Sequence, residues 1–386
     1  VPGHEDINLL ELLKQMTKGD FNVYYTYLYT KRNEESTNVV YQDLSYPRFR
    51  TIQLSIDRLS ESHREQIQSQ INTIISLTKT MQEWLDNNRS NIQYETFRIP
   101  KATGGFREIN APCDVLKSFM REVKLELEQI GVLPHDSAYA YIANRDCKKA
   151  IERHQSRKAN WFLKMDIEKF FNNCSPGFIR NQLRKLAPFS MMREIDYNHF
   201  VFTLNVLSCY KGELPQGTPL SPLLTNWLMI PIDHAINKAL NEKYEQAFTY
   251  TRYADDLLIS SKYEFNQTEI VDLVKEVLAK QDTPFTIKDS KTRYGSKSGR
   301  NWNLGIMYNK DSKLTVGHKR KRRIKTMLFQ FYRGQRDKEY AQELNGELAY
   351  LKNIEPEYFQ TLIEFMDRKY RFNFMSTINL AIKQRT

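Results

Sequence analysis

Three acidic residues sit where apolar strand patterns end or turn. Trp161-Phe162-Leu163-Lys164-Met165-Asp166 is an apolar run closed by an acid, and Tyr253-Ala254-Asp255-Asp256 places two acids in a tight turn between two short apolar runs. Acids at strand ends and hairpin tips can converge on one edge of a sheet. One carboxylate from each segment can then hold a pair of Mg²⁺ ions about 4 Å apart, an arrangement suited to in-line phosphoryl transfer. Mg²⁺ prefers oxygen ligands and keeps water and substrate phosphates in its shell. Either motif alone is ambiguous: Asp166 would equally cap a following helix, and Asp255-Asp256 would equally form a solvated turn.

The surrounding pattern predicts elements able to position these acids. Phe97-Arg98-Ile99-Pro100-Lys101 and Phe106-Arg107-Glu108-Ile109 read as strands joined by a turn at Thr103-Gly104-Gly105. A helix is predicted from Cys113 to Ile130, with apolar spacing at Leu116, Phe119, Val123, Leu125 and Leu127. From Leu314 onward the chain reads as helical and strongly basic. Its densest charge run, Lys319-Arg320-Lys321-Arg322-Arg323, opens a helix through Met327, Leu328, Phe331 and Tyr332. Such a run is most often a solvated face; laid along a phosphate backbone it would bind without regard to base identity. Residues 1–93 read as a mostly helical extension, with an apolar face at Ile7, Leu9, Leu10, Leu12 and Leu13 and an amphipathic stretch from Ser60 to Leu85. The class is α+β: a mixed body between two helical flanks.

Composition narrows the partners. Across 386 residues, 57 Lys+Arg against 46 Asp+Glu give a net charge of +11, which suits a polyanion or an anionic membrane surface. No apolar run approaches the roughly 18 residues of a membrane span; the longest, Leu223 to Ile232, is interrupted by Thr225 and Asn226. The start, Val1-Pro2-Gly3-His4, has neither a basic segment nor an apolar core of a secretion signal. Cys113, Cys147, Cys174 and Cys209 lie far apart, which argues against a zinc site or a disulfide framework and predicts a cytoplasmic setting without membrane partners.

Taken in order, these segments resemble the prokaryotic reverse transcriptases of the retron and group II intron lineage. Tyr253-Ala254-Asp255-Asp256 resembles the palm hairpin of that family, Lys164 to Phe171 its first catalytic strand, and Leu214-Pro215-Gln216-Gly217-Thr218-Pro219-Leu220-Ser221-Pro222 its Gln-Gly loop. Ile99-Pro100-Lys101 with Gly104-Gly105-Phe106-Arg107 resembles the fingers hairpin, and Asn303-Leu304-Gly305-Ile306-Met307 the hairpin that grips a primer. The resemblance implies a right-hand polymerase: an N-terminal helical extension (1–93), fingers and an antiparallel palm with helices (94–310), and a helical basic thumb (311–386).

The resemblance also implies roles. Asp166 and Asp255 would bind metal, with Asp256 in support and the Ile167 carbonyl completing a shell. Lys291 would serve the departing pyrophosphate, and Lys101 and Arg107 would face the triphosphate. Phe171 would gate the sugar's 2′ position, while Gln216 and Gly217 would line the nucleotide pocket. Leu304, Gly305, Lys319, Arg320, Lys321, Arg322 and Arg323 would hold nucleic acid. The implied activity is DNA synthesis from dNTPs on an RNA template, with a DNA or RNA primer and two Mg²⁺ ions, Mn²⁺ being a substitute. A cognate non-coding RNA and a place in antiphage defence are further implications. Two retron elements depart from the family pattern: the region before the first catalytic strand reads Ala150-Ile151-Glu152-Arg153-His154, and the grip reads Asn303-Leu304-Gly305. Those departures point to a stand-alone enzyme rather than one making a branched product. Untemplated or protein-primed synthesis on the same fold, and a non-catalytic RNA-binding scaffold, are the competing readings.

Overall fold

The computed structural model describes residues 61–100, 104–244, 247–297, 302, 305–309 and 311–383. The expected elements at Ile7 to Leu13, with Lys101, Asn303 and Leu304, lie outside the described residues. The amphipathic stretch is a helix, α1 (Glu61–Asn87), whose Ile67, Ile71, Ile74, Leu77, Met81 and Leu85 are buried at the four- and three-residue spacing of one helical face.

The fingers hairpin forms as expected. Strand β1 (Tyr94–Pro100) pairs antiparallel with β2 (Phe106–Pro112), from Tyr94 opposite Pro112 to Pro100 opposite Phe106. Most of the hairpin is exposed on both faces, so it projects from the body. Its root is anchored where the Asn110 N–H donates to the Gln216 carbonyl at 3.0 Å. Helix α2 (Asp114–Gln129) follows, then α3 (Cys147–Ser156).

The centre is a four-stranded antiparallel sheet: β3 (Trp161–Asp166), β4 (Phe248–Tyr253), β5 (Asp256–Ser261) and β6 (Arg293–Ser296), in the order β4-β5-β3-β6. Between its strands the chain makes α4 (Pro176–Leu183), α5 (Glu194–Ser208), α6 (Ser221–Leu228), α7 (Ile230–Tyr244) and α8 (Gln267–Lys280). Alternation along the strands decides where the acids go. Leu163, Met165, Leu257 and Ile259 enter one core with α1 and the helices between the strands. Phe162 and Leu258 point the other way, into a second core. Lys164, Asp166 and Asp256 share the parity of Phe162 and Leu258, so a one-residue slip of β3 would drive Asp166 into the first core.

That second core is the thumb. Helices α9 (Gly317–Tyr332), α10 (Lys338–Ile354), α11 (Pro356–Tyr370) and α12 (Phe374–Lys383) pack through Leu328, Phe331, Leu344, Leu351 and Phe374. A short hairpin, β7 (Met307–Tyr308) with β8 (Leu314–Thr315), joins the sheet to α9. The same cluster includes Ile151 of α3 and Phe162 of β3, so thumb and sheet share apolar contacts. His154 pins α3 to the sheet: its Nδ1 is 2.6 Å from Ser260 Oγ and its Nε2 is 2.7 Å from Thr251 Oγ1.

Candidate active site

Sheet register places the three acids at one edge. Asp166, the last residue of β3, is directly opposite Asp256, the first residue of β5. The turn before Asp256 is tight because Ala254 adopts a left-handed conformation at φ 56°, which leaves Asp255 at its corner. The chain beyond β3 closes against this turn, the Ile167 N–H donating to the Asp255 carbonyl at 2.9 Å. On the other side, the Lys288 N–H donates to the Asp166 carbonyl at 2.8 Å. Backbone bonds at Asp166 and at the following residue therefore fix this strand end, and Asp166 does not cap a helix.

Two lysines neutralise two of the acids. Lys291 Nζ is 2.7 Å from Asp166 Oδ1, and Lys164 Nζ is 2.7 Å from Asp256 Oδ2. The bond to Asp166 raises the Lys291 ammonium above its ordinary pKa, so it stays charged. No ion pair reaches Asp255 among the described residues. Burial, then the charges of Asp256 and Asp166, push its carboxyl up to about 6. No group of three or more His, Cys, Asp or Glu side chains among the described residues is already gathered as a metal cage. The donor chemistry nonetheless fits a hard divalent cation: the oxygens are all carboxylate, and Asp255 carries negative charge that no nearby cation pairs.

Three further segments carry the residues expected to line a nucleotide pocket. Gly217 has φ +110°, and a Cβ there would come within 2.8 Å of Ile109 Cγ2, so only glycine lets the Gln216-Gly217 loop lie against β2. Phe170 is buried at 3 %, a core residue, while Phe171 is half-buried at the surface of the same core. The ring of Tyr141 meets Phe171 edge-on, centroids 6.5 Å apart. Tyr141 is 55 % exposed and sits at φ 61°, a costly conformation for an aromatic residue. Burial and then the Asp255 charge raise its phenol, while the Arg107 charge opposes them; it thus lies within reach of both the acidic edge and the β1–β2 hairpin. Arg107 is exposed on β2, opposite Ile99.

Sequence patterning missed two contributors. Tyr141 lies in an irregular segment and carries no periodic signal. Arg252, fully buried, forms an ion pair with Asp233 of α7 at 2.8 Å and donates from Nη1 to the Ala254 carbonyl at 3.2 Å. Asp233 also accepts from the Tyr250 hydroxyl at 2.7 Å. The available signal was an arginine inside a strand of otherwise buried residues, together with an acid inside the apolar run Ile230-Pro231-Ile232. Buried charges occur only when paired.

The basic run on α9 divides into two groups. Arg320 pairs with Glu347 at 2.7 Å, Lys321 with Glu355 at 2.5 Å, and Arg323 with Glu343 at 2.6 Å. Arg320 also lies over the Tyr350 ring at 3.9 Å. Lys319 and Arg322 are exposed, have no carboxylate within ion-pair distance among the described residues, and line a groove with Thr326, Gln330 and Tyr340. Of the five cations expected to hold nucleic acid, glutamates of α10 and of the turn before α11 engage three. Gly305 approaches this helix, a Cβ built there meeting Arg320 Nη1 at 3.1 Å.

Fold and site together define a polymerase of the right-hand kind. Residues 99–325 match the family described as reverse transcriptase (RNA-dependent DNA polymerase), well over half of the chain, and the protein belongs to it. It is an RNA-directed DNA polymerase whose partner is an RNA template, and its class works with divalent metal. Within the family its likeness is to retron enzymes. It is 29 % identical over 291 residues to the retron Ec83 reverse transcriptase of Escherichia coli, covering 73 % of this chain and 88 % of that one. Against the retron Ec73 enzyme of the same species it is 27 % identical over 277 residues, covering 70 % and 85 %. The retron Mx65 enzyme of Myxococcus xanthus is 28 % identical over 291 residues, covering 70 % and 63 %. The similarity to retron enzymes therefore holds despite the two departing elements. Among solved structures, apo telomerase from Candida tropicalis overlaps with a TM-score of 0.42 at 12 % identity, over 75 % of this chain and 62 % of that one. No helix among the described residues is long and apolar enough to cross a membrane.

Proposed function

We propose that this polymerase extends a DNA or RNA primer with dNTPs at the edge formed by Asp166, Asp255 and Asp256. The observation that carries this reading is the direct opposition of Asp166 and Asp256 beside an Asp255 that no ion pair reaches among the described residues. Asp166 and Asp255, with the Ile167 carbonyl, would hold Mg²⁺, two ions by analogy with the family, and Asp256 would support them. Bound there, the metal would supply the positive charge that activates the attacking 3′-oxygen and offsets charge on the departing pyrophosphate. Lys291, held charged at the edge, stands ready to neutralise or protonate the leaving group. Arg107 and Lys101 would face the triphosphate from the fingers. Gln216 and Gly217 would form the pocket floor. Phe171, braced by Tyr141, would press on the sugar and exclude a 2′-hydroxyl. Lys319 and Arg322 would hold duplex phosphates, and Leu304 and Gly305 would grip the primer. On this reading fingers and palm occupy 94–310 and the thumb 311–386.

Primer extension on an RNA template tests it directly. Incorporation of dNTPs should require Mg²⁺, stop with a chelator and vanish in Asp255→Asn. Extension that survives the chelator or the substitution would refute the site.

A further inference from the structure

The end of the sheet remote from the acids carries a second concentration of positive charge. Lys158 follows α3, Lys262 follows β5, Lys297 follows β6, and Lys313 precedes β8. All four line one pocket of about 460 Å³, with Asp311 as the single acid among its described lining residues. No carboxylate lies within ion-pair distance of any of the four among the described residues. Four ammonium groups from four separate segments repel one another, and among the described lining residues only Asp311 supplies counter-charge. Such a concavity attracts polyanions.

Hydrogen bonds tie its segments together. The Asn160 N–H donates to the Ser261 carbonyl at 2.9 Å and the Lys297 N–H to the Asn160 carbonyl at 2.7 Å. Gln155 Nε2 donates to the Ser312 carbonyl at 2.7 Å, fixing the β7–β8 loop against α3. Beside the pocket, Tyr263 is 68 % exposed with Lys262 Nζ 5.2 Å from its ring centre, an aromatic face on which a base can stack. From Trp161 to Asp166 the strand rises about 16 Å at roughly 3.3 Å per residue. The pocket is therefore separate from the catalytic edge.

We propose that this patch is a second RNA site, gripping the phosphate backbone of the template-bearing RNA outside the stretch being copied. It rests on the reading of the opposite edge as the catalytic one. A phosphate chain supplies closely spaced charges to match the four lysines, and Tyr263 adds a base contact that an anionic membrane would not use. An RNA already engaged at the active site reaches the patch as an intramolecular event, which raises its effective concentration there. Recognition would be largely independent of sequence.

The test compares wild type with a variant carrying Lys158→Gln, Lys262→Gln, Lys297→Gln and Lys313→Gln. Binding of a long structured RNA is measured against salt, alongside extension of a primer–template of about one helical turn, roughly 10 base pairs. The variant's log–log salt slope for the long RNA should fall by about 3, at 0.7–0.9 per lost phosphate contact, with short-duplex extension unchanged. An unaltered slope would overturn the proposal. Equal losses on both substrates would also overturn it, assigning the lysines to the primer–template track. So would intact RNA binding with lost binding to phosphatidylserine vesicles or a polyglutamate peptide. Failure of the wild type to extend the short duplex would count against the catalytic edge alone, since the salt slope is read from binding.

Discussion

Asp166 and Asp256 face each other across β3 and β5, and each is held by a different lysine: Lys291 on Asp166, Lys164 on Asp256. Like charges directly opposite destabilise a sheet. Lys164 lies two residues before Asp166 on the same face, placing it diagonal to Asp256, and Lys291 enters from the segment before β6. Both lysines therefore stabilise a geometry that the acids alone would oppose. They leave the charge excess on Asp255, whose carboxyl is the one pushed up. The site is held together without metal yet remains under-neutralised at the corner where a cation would be most useful.

Asp255→Asn should therefore separate stability from activity. Removing the unpaired charge relieves its repulsion with Asp166 and Asp256, stabilising the metal-free fold by roughly 1–3 kcal/mol. Incorporation should fall to background, with nucleic-acid binding retained. Thermal unfolding in EDTA measures the first effect, which a lower Tm in the variant would contradict. Mg²⁺ should raise the Tm of the wild type more than that of the variant.

Sugar selectivity should depend on two rings rather than one. Phe171→Ala removes the proposed barrier and should raise kcat/KM for ribonucleotides relative to dNTPs by about 10–100-fold. Tyr141→Ala leaves Phe171 in place but removes the ring against its edge, so a smaller relaxation in the same direction is expected. Tyr141→Phe keeps the ring and should preserve selectivity. Single-nucleotide incorporation with matched dNTP and rNTP pairs reads all three, and unchanged selectivity in Phe171→Ala would end its gate role.

Elements with strong local patterning were legible in the sequence. The strand at Trp161 to Asp166, the strands around Tyr253 to Asp256 and the fingers hairpin all stand where alternation and turn residues put them. The helix predicted over Cys113 to Ile130 runs from Asp114 to Gln129. What patterning could not give was pairing at a distance. Lys164 and Lys291 are ordinary lysines until the register brings one beside Asp256 and the other beside Asp166. The charge run at Lys319 to Arg323 looks uniform because its glutamate partners lie 20 or more residues away. Tyr141 owes its position to a left-handed backbone in a loop, which no periodicity encodes.

Arg252 and Asp233 make a buried pair next to the turn that carries Asp255. Asp233→Asn would leave a buried guanidinium short of its counter-charge and should cost about 3–5 kcal/mol. Arg252 also holds the Ala254 carbonyl. Arg252→Met should therefore reduce the incorporation rate even where enough stability remains to purify a folded enzyme. Urea unfolding and primer extension on the same preparations separate the two effects, and full activity in a folded Arg252→Met would assign the pair to stability alone.

The thumb cations should sort by their partners. Lys319→Ala and Arg322→Ala should each reduce the salt slope of duplex binding by about 0.9, the value for one lost phosphate contact on a B-form duplex. Arg320→Ala and Lys321→Ala break pairs with Glu347 and Glu355 and cation–π contacts with Tyr350 and Tyr358. They should lower Tm and leave the slope nearly unchanged. Equal slope changes in all four variants would return the run to a uniform phosphate-facing surface.

Acid should weaken the fold through His154. Burial, aided by the charge of Arg153, pushes its pKa down to about 3 from an ordinary 6.5. Between those values the unfolded chain takes up a proton that the folded imidazole, held between Ser260 and Thr251, does not. Stability from this group is fully present above pH 6.5 and is lost as pH falls toward 3, by about 1.4 kcal/mol per pH unit. His234, also pushed down to about 3 by burial, adds a second such contribution. Urea midpoints at pH 7, 6 and 5 should therefore fall, with protonation of Asp255 near pH 6 offsetting part of the loss. His154→Gln, able to bond both hydroxyls without titrating, should be less stable at pH 7 yet lose stability more slowly on acidification, by one proton's share. A variant with the wild-type pH slope would show that His154 ionisation does not drive the loss.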